Sequence, residues 1–355
     1  MSLSIISFTA NGMRFSEKIA ESIEIEGIML FTKCSLLKER GVANTVQFVE
    51  ESIGEWAREQ MEARQTLLFI GACGIAVRAI APCITDKLHD SPVLVMDEKG
   101  EYIIPILSGH MGGANEIAMK IAEKTGAVPV ITTATDIHKK FAVDLFAKKN
   151  GLHIVNKGGI AKVSSKVLAG KEITISIESG HIAENVGQPE GIKIVSYPPK
   201  QPVDIVVTTE EISCQSLIYL KPKEYVIGMG CKRGKEAEKI EHLIYKSMET
   251  VGITKSQIFA LASIDRKKDE EGFLAWSRKE GILFLTFSAE QLQELEGNFN
   301  TSAFVKKQVG VDNVCERAAL RVCEPDGTLV YEKRAEDGMT IAIAKREWRV
   351  SFDEE

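Results

Sequence analysis

The 355-residue sequence contains no run approaching the ~20 consecutive apolar residues that a membrane-spanning helix requires. Its first residues lack the basic stretch, long apolar core and small-residue cleavage site of a secretory signal. Residues 1–6 therefore read as a first β-strand, and a cytoplasmic protein with no membrane partner is expected. No Cys-x-x-Cys pair occurs among the seven cysteines, Cys34, Cys73, Cys83, Cys214, Cys231, Cys315 and Cys323. An odd, scattered set fits free thiols in a reducing compartment and offers no frame for structural zinc. An excess of positive charge is also missing. Lys and Arg number 44 against 50 Asp and Glu, a net charge of -6, which argues against nucleic acid as the main partner. Neither a Gly-x-x-x-x-Gly-Lys-Ser/Thr loop nor glycines at dinucleotide spacing are present, so no nucleotide is expected. His89, His138, His153, His181 and His242 are isolated in the sequence, and no protein-bound metal is expected.

What is present is an ordinary globular composition, 44% hydrophobic and 26% charged, in a length that suits two or three domains. Short apolar runs at 5–8, 28–31 and 67–70 alternate with helix-spaced segments at 15–23 and 45–63, the rhythm of a parallel α/β sheet. Runs at 92–96 and 102–106 flank Asp97-Glu98-Lys99-Gly100 and predict a hairpin. A helix is expected over 114–124 and a strand over 128–132. The stretch 137–222 is more polar, with strand-like runs at 173–177, 192–195 and 204–207 and candidate hinges at 197–200 and 221–223. From 225 the α/β rhythm resumes, with strands at 225–228, 258–264 and 282–287 and helices at 236–250 and 270–279. The predicted fold class is α/β: two three-layer α/β domains with mainly parallel sheets, 1–136 and 223–355, joined by a smaller α+β middle module, 137–222.

Four turns carry the candidate chemistry. The run Leu107-Ser108-Gly109-His110-Met111-Gly112-Gly113-Ala114-Asn115 lies between a strand and a helix. Glycines there admit a ligand to backbone N–H groups, and a helix N-terminus favours an anion. His110 is its one side chain titrating near neutrality, a natural acid–base group. The alternative is a tight packing turn with Ser108 as a cap. Gly71, Gly74 and Arg78 form a second strand-to-helix turn, and the two turns could face one cleft, with Arg78 gripping a carboxylate. Otherwise Arg78 is a surface residue. Thr133 and Asp136 end the run 131–136, either as ligand contacts or as turn and cap bonds. Asp144 follows at a probable helix start. In 228–234, Lys232 and Arg233 could bind carboxylates or stand as a solvated pair, and neighbouring cations would lower the Cys231 thiol pKa. The charged turn 267–270 reads as helix capping.

Several long words carry a resemblance. GACGIAVRAIAP at 71–82, DEKGEYIIPILSGHMGGAN at 97–115, and PVITTATD at 129–136 followed by FAVD at 141–144 resemble the N-terminal part of the CbiG family of cobalamin synthesis. GMGCKRG at 228–234, ASIDRKKDEEG at 262–272 and VCERAAL at 314–320 resemble the same family and the related CobE proteins. The resemblance covers most of the chain in order and is weakest in the middle. It implies a cobalt-precorrin-5A hydrolase. Such an enzyme opens the δ-lactone on ring A, and the methylated C20 fragment leaves as acetaldehyde, giving cobalt-precorrin-5B. The cobalt belongs to the substrate, so no cofactor is expected, and neighbouring pathway enzymes are expected as transient partners. Within that reading His110, Ser108, Asp136 and Glu98 are the candidate catalytic residues. Gly71, Gly74, Arg78, Gly109, Gly112, Gly113, Thr133, Lys232 and Arg233 are the candidate substrate contacts. Two alternatives remain, a non-catalytic corrinoid carrier and a phosphate-binding α/β enzyme.

Overall fold

The computed structural model describes the whole chain except residues 1, 26, 41–44, 87–89, 111, 134–139, 184–186, 188, 212–213, 298, 301–309 and 353–355. It divides into two compact units, residues 1–140 and 141–355. The expected middle module and C-terminal domain lie together in the second.

The first unit is built on a seven-stranded sheet. Its elements run β1 (Leu3–Ser7), α1 (Ala10–Ser22), β2 (Ile28–Thr32), α2 (Ser35–Arg40), β3 (Val46–Phe48), α3 (Ile53–Glu62), β4 (Thr66–Ile70), α4 (Cys73–Ile80), β5 (Val93–Met96), β6 (Tyr102–Leu107), α5 (Ala114–Thr125) and β7 (Val128–Pro129). The strand order is β3-β2-β1-β4-β5-β6-β7. Strands β1 to β5 pair in parallel, while β6 runs antiparallel to β5 and β7 follows β6 in parallel. Alternation splits the apolar strands between two cores. Leu68 and Ile70 face α1 and α5 with Met13, Ile19 and Ile117, while Leu67 and Phe69 face α3 and α4 with Trp56, Ala76 and Ala79. The helix expected over 45–63 is instead a short strand followed by α3. Ser52 stops the strand segment from continuing as helix: its hydroxyl caps the Glu55 N–H and the Glu55 carboxylate returns to the Ser52 N–H.

The second unit carries two sheets. The first contains β8 (Leu152–Ile154), β9 (Ile173–Ile177), β10 (Ile192–Val195), β11 (Val203–Val207) and β12 (Ser216–Pro222), with α6 (Val143–Lys149) and α7 (Gly158–Leu168). Its order is β10-β9-β11-β12-β8, parallel except for β8. The hinge expected at 221–223 is part of this sheet: Lys221 pairs with His153 and Pro222 with Leu152. Tyr197, in the other expected hinge, is anchored through its phenol to Thr208 and Glu210.

The second sheet contains β13 (Tyr225–Cys231), β14 (Ile258–Ile264), β15 (Leu283–Phe287), β16 (Thr328–Glu336) and β17 (Met339–Lys345) in the order β15-β14-β13-β17-β16. Helices α8 (Ala237–Val251) and α9 (Glu271–Glu280) cover one face, and α10 (Ala289–Gln293) and α11 (Cys315–Val322) lie against the other. After β17 the chain returns to the first sheet of this unit. Val350 bridges Ile182, the Trp348 ring stacks on His181 with centroids 3.9 Å apart, and Asn150 exchanges two hydrogen bonds with Ser351.

Candidate active site

Because β6 reverses direction, the two glycine turns of the first unit lie at opposite ends of the sheet. Leu107 pairs with Val93 at the start of β5, whereas Ile70 pairs with Met96 at its end. The separation is on the order of 15 Å for a strand of this length at ~3.3 Å per residue. The single cleft expected between Gly71 and Gly109 is therefore not formed, and Glu98 stands with the Gly71 turn.

The 108–113 loop crowds on itself. Ser108 sits at φ +54° and its hydroxyl donates to the Asp90 carbonyl at 2.8 Å. The Ser108 and Gly109 carbonyls accept the Ala114 and Asn115 N–H groups at 3.2 and 3.1 Å, closing the first turn of α5 from within. A Cβ at Gly112 would stand 2.7 Å from the Ser108 carbonyl oxygen, and one at Gly109 2.7 Å from the Asn115 Oδ1. Gly112 is thus required by the path of the loop, while a side chain at Gly109 would displace the Asn115 amide. The Gly113 N–H is occupied by the His110 carbonyl at 3.1 Å, which removes it from any oxyanion site. His110 itself is half-buried. Beyond β7 the Val130 N–H bonds the Ile103 carbonyl, so the chain runs on alongside β6. This brings Thr133 to the same edge, where its hydroxyl accepts from the Asn115 amide at 3.2 Å. Asp136 lies outside the described residues, as do His89 and His138.

At the other edge Glu98 accepts from the Thr9 hydroxyl at 2.6 Å. Gly71 packs beneath the Phe8 ring. Arg78 folds back on its own helix, its guanidinium donating to the Gly74 carbonyl at 3.0 Å, and Gly74 and Arg78 are both exposed. These residues share a solvent-facing surface.

The 228–234 turn has a different construction. A Cβ at Gly228 would fall 1.8 Å from the Cys315 carbonyl oxygen, so this glycine lets α11 lie directly on β13. Glu270, 5% exposed, accepts from the Gly234 and Lys235 N–H groups and from Lys267 at 2.6 Å. The turn at 267–270 therefore clasps the neighbouring loop instead of merely capping α9. Burial alone would raise the Glu270 carboxyl, but Lys267 and the two amides hold it below the ordinary range. Lys235 pairs with Asp337 at 2.6 Å. Lys232 and Arg233 remain exposed at the carboxyl ends of β13 and β14, with the Arg233 guanidinium 3.3 Å from the Arg266 carbonyl. The Cys231 thiol is pushed up, not down, because burial and Glu270 outweigh Lys267.

Three sets of polar residues escaped the reading of motifs. Asp90 braces Ser108. Glu178, at the end of β9, accepts from Thr208 and Thr209 and faces His181 at 3.8 Å. The fully buried Glu316 accepts from Asn300, Asn313 and the Lys333 N–H, tying α11 to β16. A hollow of about 560 Å³ lies at the amino ends of β9, β11 and β12, lined by Asn156, Lys162, Lys166, Thr174 and Asp204. It contains none of the expected site residues. Among the described residues no cluster of three His, Cys, Asp or Glu side chains forms a metal cage, and no helix is long and apolar enough to cross a membrane.

Comparison with known proteins gives a consistent result. The cobalamin synthesis G N-terminal family matches residues 55–136, the cobalamin biosynthesis central region 141–220, and the cobalamin synthesis G C-terminus 225–344. The chain is 31% identical to a cobalt-precorrin-5A hydrolase of Priestia megaterium, over 96% of this chain and 94% of that protein. It is 30% identical to the cobalt-precorrin-5A hydrolase of Salmonella typhimurium, over 96% and 97%. A crystal structure of a cobalamin biosynthesis protein G homolog from Sulfolobus solfataricus is similar at 23% identity and a TM-score of 0.41, covering 98% of this chain and 97% of that one.

Proposed function

The chain belongs to the cobalamin synthesis G family, and we propose that it is a cobalt-precorrin-5A hydrolase that opens the ring A δ-lactone and releases the C20 fragment as acetaldehyde. The observation that carries this reading is similarity to two such hydrolases along nearly the full length of each. The substrate is a small molecule, a macrocycle edged with carboxylates whose cobalt is its own, and no further cofactor is invoked. Seven free cysteines support a reducing, cytoplasmic setting.

Lactone opening needs a base for water and donors for the oxyanion. We assign the base to His110 and the donors to the Gly109 and Gly112 N–H groups, with Thr133 at the same edge; Asp136 lies outside the described residues. His110 takes a proton from water as the water oxygen bonds the lactone carbonyl carbon and the carbonyl electron pair moves onto its oxygen. When that pair returns, the ring C–O bond breaks and its oxygen takes the proton back from His110. Loss of the carbon fragment follows from the opened substrate, with the protein binding and orienting it. Ser108, whose hydroxyl is spent on Asp90, braces the loop. Lys232 and Arg233, in the second unit, are proposed as cations for peripheral carboxylates, whereas Arg78 stands with the Gly71 turn at the sheet end opposite His110. The geometry supports no role for Glu98 beside His110.

The test is turnover of purified cobalt-precorrin-5A, read as acetaldehyde and product mass. His110→Ala is expected to lower kcat by about 10²–10⁴. Unchanged turnover removes His110 from the mechanism. Binding without acetaldehyde by the wild-type chain would favour the carrier reading instead.

A further inference from the structure

Two departures from ordinary protein chemistry meet at one contact of the first unit. The first is the left-handed backbone of Ser108, at φ +54°. The other non-glycine residues described with positive φ are Arg64, just past α3, and Asp337, in the β16–β17 turn. In both places a left-handed residue closes an element. Ser108 closes none. It leaves β6 and opens the loop that carries His110, in a conformation disfavoured for any side chain with a Cβ.

The second departure is Asp90, which is 8% exposed. Its Oδ1 accepts from the Thr85 N–H at 3.0 Å, the Thr85 hydroxyl at 2.9 Å and the Asp86 N–H at 3.2 Å. Its Oδ2 is buried and has no hydrogen-bond partner among the described residues, the one carboxylate oxygen of which this is true. Buried polar atoms are almost always satisfied, and an exception calls for a reason. The Ser108 hydroxyl donates to the Asp90 main-chain carbonyl, so the strained residue and the unsatisfied one are joined directly. Strain and unmet bonding persist together where a ligand or a reaction step supplies the missing partner.

We infer that Asp90 is a positioning residue for lactone opening, its bare Oδ2 accepting the ring N–H of His110 once that histidine holds the proton of the attacking water. The inference rests on the hydrolase reading given above. His110 follows Ser108 by two residues, on a loop whose first hydroxyl is pinned to Asp90. Without substrate His110 has partners of its own, and the bond to Oδ2 forms as charge develops on the imidazole. The proton leaves water for the imidazole nitrogen, and the resulting cation meets a fixed anion. Three donors on Oδ1 hold the carboxylate plane, so that Oδ2 keeps one direction. A carboxylate that orients a histidine and stabilises its cation in this way works through the histidine and need not touch the substrate. Glu98 cannot serve, since it lies at the far end of β6.

The experiment is Asp90→Asn in the full chain, compared with wild type for turnover of cobalt-precorrin-5A and for thermal melting. Asparagine keeps a carbonyl oxygen for the three Oδ1 donors and removes the charge. We expect kcat to fall about 100-fold or more, KM to stay within about twofold, and the melting temperature to equal or exceed that of wild type, because the three Oδ1 donors keep their acceptor while the buried, partnerless Oδ2 is no longer part of an anion. A kcat within about threefold of wild type overturns the inference. So does a lower melting temperature, which would make Asp90 a structural clasp of the 85–90 segment. If the wild-type chain releases no acetaldehyde, the hydrolase reading fails on its own. Melting still decides Asp90 in that event: stabilisation marks a bare charge, and destabilisation marks a clasp.

Discussion

The 108–113 loop and the 228–234 turn look alike as sequence, each a strand leading through glycines and ionisable residues into a helix, yet they solve different problems. In the first, glycines let the loop fold against itself, a serine is held in a left-handed conformation, and the neighbouring Asp90 has a buried carboxylate oxygen with no partner among the described residues. In the second, Gly228 admits a helix backbone, and the buried Glu270 is met by two amides and a lysine. An incompletely satisfied, strained loop is a place where a reaction can be stabilised. A saturated one is a scaffold that leaves Lys232 and Arg233 free to face a ligand. The difference accords with the proposal above, in which His110 does the chemistry, and it makes anion recognition by Lys232 and Arg233 a separate proposal to test.

The sharpest way to break this contrast is Gly228→Ala. The new methyl would lie 1.8 Å from the Cys315 carbonyl oxygen, backbone that cannot swing aside. Overpacking of this severity is expected to cost upwards of 4 kcal/mol. The chain should lose most of its soluble yield and its cooperative melting transition. If the variant melts like wild type, Gly228 serves a ligand and the two turns are alike after all.

The same pair shows how far the sequence was legible. The strand–helix rhythm of both α/β regions followed from apolar spacing, and the 92–106 hairpin from its polar turn ending in Gly100. That hairpin already implied that Leu107 ends at the amino edge of β4. Carried through, it excludes a cleft shared by Gly71 and Gly109. Local signals also existed for two missed features. Ser52 and Glu55 have capping-box spacing, and Asp337-Gly338, both at positive φ, is a strong hairpin dipeptide. Other features had no local signal. Nothing near Gly228 in the chain announces Cys315, and nothing near Asp90 announces Ser108, because each contact is made by tertiary packing. The rise in the Cys231 thiol belongs with these, since nearby cations were visible in sequence and burial was not.

A second test weighs the saturated network. Glu270→Gln keeps an acceptor for the Gly234 amide but leaves Lys267, whose side chain is 13% exposed, without its partner. Breaking a buried pair in this way is expected to cost on the order of 3 kcal/mol near neutral pH. The pH dependence has a definite sign. The folded-state pKa of Glu270 is depressed, so its contribution is fully present above the unfolded value of about 4.3 and is lost as pH falls through the folded value. Chemical denaturation from pH 7 downward should therefore show wild type and variant converging in acid. A constant difference across that range would mean that shape, not charge, holds the turn.

The smallest expected effect is also the one that bears most directly on the division of labour. Lys232 and Arg233 are exposed, and neither makes a salt bridge with a described residue. Truncating both to alanine should leave folding intact, because exposed charges contribute little to stability. If they meet substrate carboxylates, the double variant loses ground-state and transition-state binding alike. KM should then rise by about threefold to tenfold while kcat stays within about twofold. The attraction is between solvent-exposed charges, so added salt should raise the wild-type KM and have a weaker effect on the variant. A fall in kcat at unchanged KM would contradict the scheme, since it would place reacting-centre chemistry at the carboxyl edge of the C-terminal sheet and leave the strained loop of the first unit without an assigned role.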